Sequence, residues 1–201
     1  MKILITGAGR AIGRATAEGL TAAGHEVVAT ARDLSLLDGL DVAERLSLDV
    51  TDDASIDACL EAAGDLDAVV NNAALSGKAP VETIPLDHFR SMLETNTLGP
   101  IRVVQKLLPA WRERGSGVVV NISSIQGRVP TPLEGAYAAT KHALEALSES
   151  LYYEVGHFGI RVVLVEPGYT APGMKLISLP YPDAYQELYD QWEAVSYTHL
   201  R

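Results

Sequence analysis

Three side chains in the second half of the sequence are suited to acid and base chemistry. Tyr137 and Lys141 lie four residues apart in YAATK, so in a helix they share one face about a turn apart. A free phenol titrates near pH 10, and a close cation lowers its pKa toward neutrality by stabilising the phenolate. Ser124, thirteen residues before Tyr137, has a hydroxyl that can donate to a carbonyl oxygen. Taken alone, Y-x-x-x-K also fits an exposed surface pair, so this chemistry depends on its context.

A glycine-rich turn near the N-terminus predicts a phosphate-binding site. The segment TGAGRAIG joins a strand-like run to a helical pattern and contains Gly7, Gly9 and Gly13. Glycine allows a tight turn and close approach of the backbone, and the unpaired N–H groups of a helix start attract a phosphate. Strand-to-helix turns also use glycine for packing alone. The pattern nevertheless favours a dinucleotide pyrophosphate site.

Short apolar runs that alternate with helical patterns must position these groups. The predicted strands are Lys2 to Thr6, Glu26 to Thr30, Arg45 to Leu48, Ala68 to Asn71, Val118 to Ile122 and Arg161 to Val165. Continuously apolar strands that alternate with helices are typical of a parallel sheet covered on both faces. The sequence therefore predicts an α/β fold with a doubly wound, Rossmann-like sheet in the order 3-2-1-4-5-6.

Two long helices are expected after the fourth and fifth strands. The first spans Pro85 to Arg114 and the second Leu133 to His157. In the second helix, apolar residues recur at spacings of three and four and predict a core-facing stripe, which consists of Leu144, Leu147, Leu151 and Val155. A second set of small residues in that helix allows close approach of another helix or subunit, namely Ala138, Ala139, Ala143 and Ala146.

The order of these motifs resembles that of the short-chain dehydrogenase/reductase family from Lys2 to about Thr170. The glycine turn is similar to T-G-x-x-x-G-x-G, with Ala11 in place of the second glycine, and Val165 to Gly168 is similar to V-x-P-G. Asn71-Asn72-Ala73-Ala74 resembles N-N-A-G. The cofactor-binding residues that the resemblance implies are Gly7, Gly9, Arg10, Ile12, Gly13, Arg32, Asp49, Val50, Asn72, Ala73, Tyr137, Lys141, Pro167, Gly168 and Thr170.

The resemblance also implies a role for each catalytic group. Ser124 would polarise a carbonyl, Tyr137 would exchange the proton, and Lys141 would lower the phenol pKa and hold the nicotinamide ribose. Asn96, in ETNTLGP, resembles the family asparagine that holds a water between Lys141 and solvent. The pattern from Asn71 onward is closest to the hydroxysteroid and retinol dehydrogenase branch, so a lipophilic substrate is expected.

The end of the second strand predicts which dinucleotide binds. An acidic residue there accepts hydrogen bonds from the ribose 2′-hydroxyl and repels a 2′-phosphate, whereas an arginine attracts the phosphate. VVATAR places Ala31 where NAD-preferring relatives carry the acid, with Arg32 next and Arg10 in the glycine turn. Either arginine alone fits a solvated surface cation. Together, and without the acid, they predict NADP(H).

Charge and cysteine content argue against several other classes. The 16 basic and 26 acidic residues give a formal net charge of −10, which repels nucleic acid and anionic lipid. The lone Cys59 offers neither a disulfide nor a thiolate metal site, so we expect no metal and a reducing compartment. No apolar run approaches the roughly 20 residues of a membrane span, and a strand follows Met1 directly. We therefore expect a soluble, cytoplasmic protein.

A chain of 201 residues is expected to form one domain. Family members continue with a further helix and a seventh strand, so we expect residues 1–194 to be a single dinucleotide-binding catalytic domain that stops inside its substrate-covering segment, with six strands of seven. Tyr181 to Ala194 is the expected cover helix, and residues 195–201 (VSYTHLR) are expected to be a non-native tail. The full-length form is expected to be a homo-oligomer.

Three functions remain under consideration, and they need different motifs. A non-catalytic NAD(P)-binding sensor needs the glycine turn but not the joint presence of Ser124, Tyr137 and Lys141. A sugar-nucleotide epimerase or dehydratase shares Y-x-x-x-K, but relatives of that type usually have T-G-x-x-G-x-x-G and a longer substrate domain. The sequence favours the third function, an NADP-dependent oxidoreductase that acts on a small-molecule carbonyl or secondary alcohol.

Overall fold

A parallel β-sheet forms the centre of the protein in a computed structural model, which describes residues 1–170, 177 and 179–191. The six strands within these residues are β1 (Lys2–Ile5), β2 (Glu26–Ala31), β3 (Glu44–Ser47), β4 (Ala68–Asn71), β5 (Gly117–Ile122) and β6 (Ile160–Val165). Their order is β3-β2-β1-β4-β5-β6, and every neighbouring pair is parallel. The predicted fold class and strand order are confirmed.

Helices connect most of the successive strands. They are α1 (Ala11–Ala22), α2 (Asp53–Ala63), α3 (Leu86–Leu93), α4 (Gly99–Arg114) and α5 (Gly135–Val155). After β6, a 3-10 turn over Asp183–Tyr185 leads into helical residues 186–191, inside the region predicted as a cover helix. The predicted end of that helix at Ala194 and the predicted tail 195–201 lie outside the described residues.

Consecutive apolar residues let the central strands bury both of their faces. On β1, Leu4 joins the core cluster that contains Val104 and Trp111, whereas Ile5 joins a second cluster that contains Leu37. Successive strand residues point to opposite faces, so a sheet with helices on both sides needs an uninterrupted apolar run. This packing holds the carboxyl ends of the strands in one row, where the site lies.

The predicted helix over Pro85 to Arg114 is interrupted by a π-helical turn, Glu94–Leu98, between α3 and α4. Pro100 has no N–H with which to donate to the Asn96 carbonyl, although a regular α-helix would form that bond. The chain is helical over the predicted range, but the geometry changes from α to π at this turn. The turn buries Asn96 and Thr97 against α5.

The predicted apolar stripe on α5 is correct except at Leu147, which is 41% exposed. Ser148 occupies the inward position instead, because its Oγ accepts a hydrogen bond from Asn121 Nδ2 at 2.8 Å and donates to the Leu144 carbonyl at 2.6 Å. A polar contact with β5 therefore orients this part of α5, which an apolar periodicity cannot reveal.

Candidate active site

A cavity of about 590 Å³ lies at the carboxyl ends of the strands. Parallel strands bring these ends to one edge of the sheet, where α/β proteins of this type bind ligands. The predicted site residues on the cavity wall are Gly7, Gly9, Arg10, Ile12, Arg32, Asp49, Val50, Asn72, Ala73, Ser124, Tyr137, Lys141, Pro167, Gly168 and Thr170. The remaining two, Gly13 and Asn96, do not line the cavity.

The glycine turn is shaped by contacts that leave no room for side chains. Gly7 has a φ of +66°, and a Cβ there would lie 2.9 Å from the Ala73 Cα. A Cβ on Gly13 would lie 2.4 Å from the Gly7 carbonyl oxygen. Asn72 Nδ2 donates to that same oxygen at 2.9 Å and so joins the loop after β4 to the turn. Gly13 therefore does not line the cavity, but its lack of a side chain allows α1 to lie close to the glycine turn.

The start of α1 suits a phosphate. Arg10 occupies the N-cap position without a capping hydrogen bond from its side chain, and the first N–H groups of a helix have no partner within the helix. Such a helix start on a cavity wall is a binding site for an anion. Ala11 follows with a φ of +46°, in the left-handed region that glycine adopts at lower cost. The turn therefore fits the pyrophosphate of a dinucleotide.

Two arginines line this part of the cavity, Arg10 at the start of α1 and Arg32 directly after β2. Arg10 and Arg32 are exposed on the cavity wall, and within the described residues neither guanidinium has an ion-pair partner. Ala31 is buried at the end of β2. Asp33, which the sequence analysis did not select, also lines the cavity, and its carboxylate accepts hydrogen bonds from Ser35 N at 3.0 Å and Ser35 Oγ at 2.7 Å. These bonds lower the pKa of Asp33, so this acid stays ionised beside Arg32.

Ser124 and Tyr137 meet in the cavity. β5 ends at Ile122, and Ser124 then caps a short 3-10 turn by accepting a hydrogen bond from Gln126 N at 3.1 Å. This turn leads the chain back toward the first turn of α5, which carries Tyr137. Both side chains line the cavity, and the Ser124 hydroxyl lies close enough to the phenol to lower its pKa. One substrate oxygen can therefore be reached by both groups.

Burial controls the protonation of Tyr137. Removal from solvent raises the pKa of the phenol to about 12, the negative charge of Glu134 adds to the rise, and the hydrogen bond with Ser124 opposes it. Glu134 is buried, and its carboxylate accepts from Gln126 Nε2 at 2.6 Å and from Thr131 Oγ1 at 3.0 Å. The phenol is therefore fully protonated at neutral pH.

Lys141 is buried one helical turn further along α5. Its Nζ donates to the Ile122 carbonyl at 2.7 Å and lies 5.8 Å from the centroid of the Tyr137 ring. Burial lowers the pKa of Lys141 to about 8, against the opposing charge of Glu145. In this arrangement the ammonium donates to a main-chain carbonyl and burial dominates the pKa of the phenol, so the lowering of that pKa by Lys141 stays a prediction.

Asn96 lies behind the reacting groups rather than among them. Its Oδ1 accepts from Leu75 N at 2.7 Å, and its Nδ2 donates to the Leu75 carbonyl at 2.8 Å and to Thr140 Oγ1 at 3.0 Å. Both amide hydrogens are thus engaged. The side chain ties the loop after β4 to the residue next to Lys141, and the predicted water-holding role stays a prediction.

Two further charged residues on the cavity wall were missed by the sequence analysis. Glu134 precedes Tyr137 by three residues, which is about one helical turn, so this spacing is a signal that could have been used. Lys78 lies in the loop between β4 and α3 and is only 6% exposed. A lysine in a loop without periodicity gives no indication in the sequence that it is buried.

Comparison with known families identifies the class of protein that this fold and site define. The family model described as short chain dehydrogenase matches residues 1–177. The chain therefore belongs to the short-chain dehydrogenase family. Its curated relatives are longer, and the chain spans 54 to 64% of the length of the first relatives that it matches.

Solved structures of the family superpose closely on the protein. A short-chain dehydrogenase from Streptomyces avermitilis is 42% identical with a TM-score of 0.88, over 93% of this chain and 75% of that one. A 3-ketoacyl-(acyl-carrier-protein) reductase from Brucella melitensis complexed with NADH is 29% identical (TM-score 0.80, 83% and 75% covered). A metagenomic short-chain oxidoreductase in complex with NADP is 31% identical (TM-score 0.78, 85% and 83% covered). The fold thus accommodates either dinucleotide.

Proposed function

We propose that the protein transfers hydride between NADP(H) and a carbonyl or secondary alcohol, with Ser124, Tyr137 and Lys141 as the catalytic residues. The observation that carries this proposal is that the Ser124 hydroxyl and the Tyr137 phenol lie near each other on the wall of a cavity that the glycine turn also lines. A hydride donor and a proton donor are what carbonyl reduction requires, and NADPH supplies the hydride when bound.

The chain's own groups handle the proton and the charge on oxygen. During reduction, Tyr137 donates its proton to the substrate oxygen while Ser124 donates a hydrogen bond to it, so that negative charge does not accumulate there. Lys141, protonated at neutral pH and 5.8 Å from the ring, stabilises the phenolate that remains. In oxidation of an alcohol the same proton moves back to Tyr137. Asn96 holds the segment that carries Lys141 and supports proton exchange with solvent.

Preference for NADP(H) is supported by the charges at the end of β2. Arg32 directly after β2 and Arg10 at the start of α1 line the cavity without ion-pair partners among the described residues, and Ala31 replaces an acid. Asp33 is turned to Ser35, so its carboxylate is already engaged. Two guanidinium groups provide charge-assisted donors for a 2′-phosphate. A lipophilic substrate is proposed from the apolar wall around the reacting groups, which includes Leu75 and Ile125.

A location in the cytoplasm and assembly of the full-length protein into a homo-oligomer complete the proposal. Cys59 is a buried free thiol whose pKa burial raises to about 11, so it stays a reduced thiol of low reactivity. Within the described part of the chain, no helix is long and apolar enough to cross a membrane. On α5, Tyr152 and Tyr153 are 55% and 79% exposed, and Ala139 and Ala146 of the small residues are exposed on the same helix, where a second subunit could approach.

Turnover of a panel of ketones, aldehydes and secondary alcohols with NADP(H) and NAD(H) tests the proposed function. We expect NADPH-dependent reduction of at least one carbonyl, and Ser124→Ala should lower its kcat/KM by about a hundredfold or more, since one donor to the oxyanion is lost. Ser116→Ala, on the exposed turn before β5, is the matched control and should leave turnover unchanged. NADPH binding without turnover of any compound would contradict the proposal and favour a sensor.

A further inference from the structure

Lys78 is a buried cation that the proposed reaction does not use. The side chain is 6% exposed and lines the same cavity as Ser124 and Tyr137. Within the described residues its ammonium has neither a hydrogen bond nor an ion pair. A lysine that is held inside the protein, lines the cavity and has no partner among the described residues can offer its ammonium to an anionic group of a ligand.

The backbone holds Lys78 firmly on both sides. Lys78 N donates to the Ile177 carbonyl at 2.9 Å, and Leu179 N donates to the Lys78 carbonyl at 3.1 Å. The next residue, Ala79, donates to the Leu133 carbonyl at 2.9 Å, just before α5. Lys78 is therefore fixed between the segment after β6 and the start of the helix that carries Tyr137, unlike a surface lysine on a mobile loop.

The neighbouring glycine shows how tightly this strip of chain is packed. A Cβ on Gly77 would lie 2.4 Å from His88 Nε2 on α3 and 3.2 Å from Leu179 Cδ1. His88 Nε2 in turn lies 3.3 Å from the Ser76 carbonyl oxygen. The strip is wedged between α3 and the segment after β6, so the position of Lys78 relative to the reacting groups is set by the fold.

The charges on the cavity wall leave Lys78 available to a substrate. Arg10 and Arg32 lie at the ribose end of the cradle, and the Lys141 ammonium donates to the Ile122 carbonyl. The Glu134 carboxylate, which shares the wall, accepts hydrogen bonds from two polar side chains and forms no ion pair with Lys78. Among the charged residues on the described cavity wall, Lys78 therefore remains available to bind an anionic group of a substrate.

We propose that Lys78 binds a carboxylate of the substrate, so that the protein acts on carbonyl or hydroxy compounds that carry a carboxylate at a distance from the reacting carbon. The proposal rests on the proposed function and narrows its substrate class. A dianionic phosphate is usually held by several donors or a helix N-terminus, whereas Lys78 is a single cation with Glu134 on the same wall. A monoanion on a largely apolar body matches this cavity better.

Paired substrates that differ only in charge test the proposal. The probes are 4-oxo-4-phenylbutanoate and 5-oxo-5-phenylpentanoate, each beside its methyl ester, reduced with NADPH by the full chain. We expect kcat/KM for at least one acid to exceed that for its ester by about tenfold or more, as a charge-assisted hydrogen bond would give. Lys78→Met should lower this acid-to-ester ratio by about ten- to a hundredfold, and Lys78→Arg should retain most of it.

Two controls make the test decisive. Lys106 does not line the cavity, and its Nζ donates to Asp57 Oδ1 at 2.5 Å. Lys106→Met should therefore leave the acid-to-ester ratio unchanged. Binding of 4-phenylbutanoate in the presence of NADP⁺, measured by calorimetry, reports on Lys78 without turnover. Loss of that binding in Lys78→Met supports the carboxylate site even if no probe is reduced. The absence of reduction would contradict only the proposed function. Equal turnover of acids and esters together with binding that does not depend on Lys78 would overturn the carboxylate site while leaving carbonyl reduction intact.

Discussion

The two ends of the cavity are built in different ways. At the glycine turn, the decisive feature is missing side chains, because a Cβ on Gly7 or Gly13 would overlap main-chain atoms. At the reacting end, polar groups are withdrawn from water, and burial moves the pKa of Tyr137 up to about 12 and that of Lys141 down to about 8. The cradle is therefore specified by shape and the reacting centre by desolvation. Substitutions in the first should act at every pH, whereas those in the second should change pH dependence.

The sharpest test of shape in the cradle is Gly13→Ala. Its methyl group would have to displace the Gly7 carbonyl or the Asn72 amide, so NADPH affinity should fall by more than about a hundredfold at every pH. Gly19→Ala is the matched control, because Gly19 lies on the same helix as Gly13 and a Cβ there would have no neighbouring atom within 4 Å. That control should bind NADPH normally and gain about 0.5–1 kcal/mol in unfolding free energy. Normal NADPH binding by Gly13→Ala would contradict the steric account.

Arg32→Asp tests whether charge, in addition to shape, determines which dinucleotide binds at the glycine turn. Loss of a guanidinium and gain of a carboxylate should lower NADPH affinity relative to NADH by about ten- to a hundredfold. Fluorescence titration of both dinucleotides measures the ratio. Arg112→Asp, in the last turn of α4 and off the cavity wall, is the control. An unchanged ratio would remove Arg32 from the 2′-phosphate site.

Desolvation at Lys141 predicts a pH-dependent stability. The folded-state pKa of about 8 lies below the 10.5 of an unperturbed lysine, so the unfolded chain binds more protons in this interval and stability rises with pH. Relative to Lys141→Met, the unfolding free energy of the protein should rise by on the order of 2 kcal/mol from about pH 8 to about pH 10, a comparison in which the opposing contribution of the raised pKa of Cys59 cancels. Lys141→Met should lack this rise. Above about pH 10 the raised pKa of Tyr137 lowers the unfolding free energy as the pH rises. The denaturant titrations are therefore carried out below about pH 10. Parallel pH profiles for the two proteins would contradict the burial account.

The smallest expected effect concerns Ala11. Its φ of +46° is strained for alanine, so Ala11→Gly should raise the unfolding free energy by up to about 1 kcal/mol. Ala15→Gly, on an exposed face of the same helix, should lower it by about 1 kcal/mol, because glycine weakens a regular helix. Denaturant unfolding of the two variants measures both signs. Equal destabilisation by both would show that the backbone at Ala11 carries no strain.

The same contrast explains what the sequence could predict. Strand order, the glycine turn and the polar groups after each strand follow from continuous apolar runs and from residue types at strand ends, which are local features. That Ser124 and Tyr137 line the same cavity was predicted only from the family resemblance. A separation of thirteen residues along the chain does not by itself define their distance in the fold. The π-helical turn before Pro100 was missed, since an amphipathic pattern does not distinguish it from a regular helix.

Burial of polar groups was the least predictable part of the site. Lys78, Glu134 and Ser148 carry side chains that are usually exposed, and only tertiary packing places them inside. The pKa of Tyr137 was predicted to fall because of Lys141, yet solvent exclusion by the whole cavity outweighs that one pair. Electrostatics that depend on many distant elements cannot be read from spacing.

The central claim, that Tyr137 exchanges the substrate proton, is tested most directly by Tyr137→Phe. The carbonyl compound that the chain reduces fastest with NADPH is the substrate, and NADPH binding is measured on the same samples. We expect kcat to fall by about a hundred- to ten-thousandfold, the usual contribution of general acid catalysis, while the Kd for NADPH stays within about threefold. A Tyr137→Phe protein that keeps a tenth or more of the original kcat would contradict it.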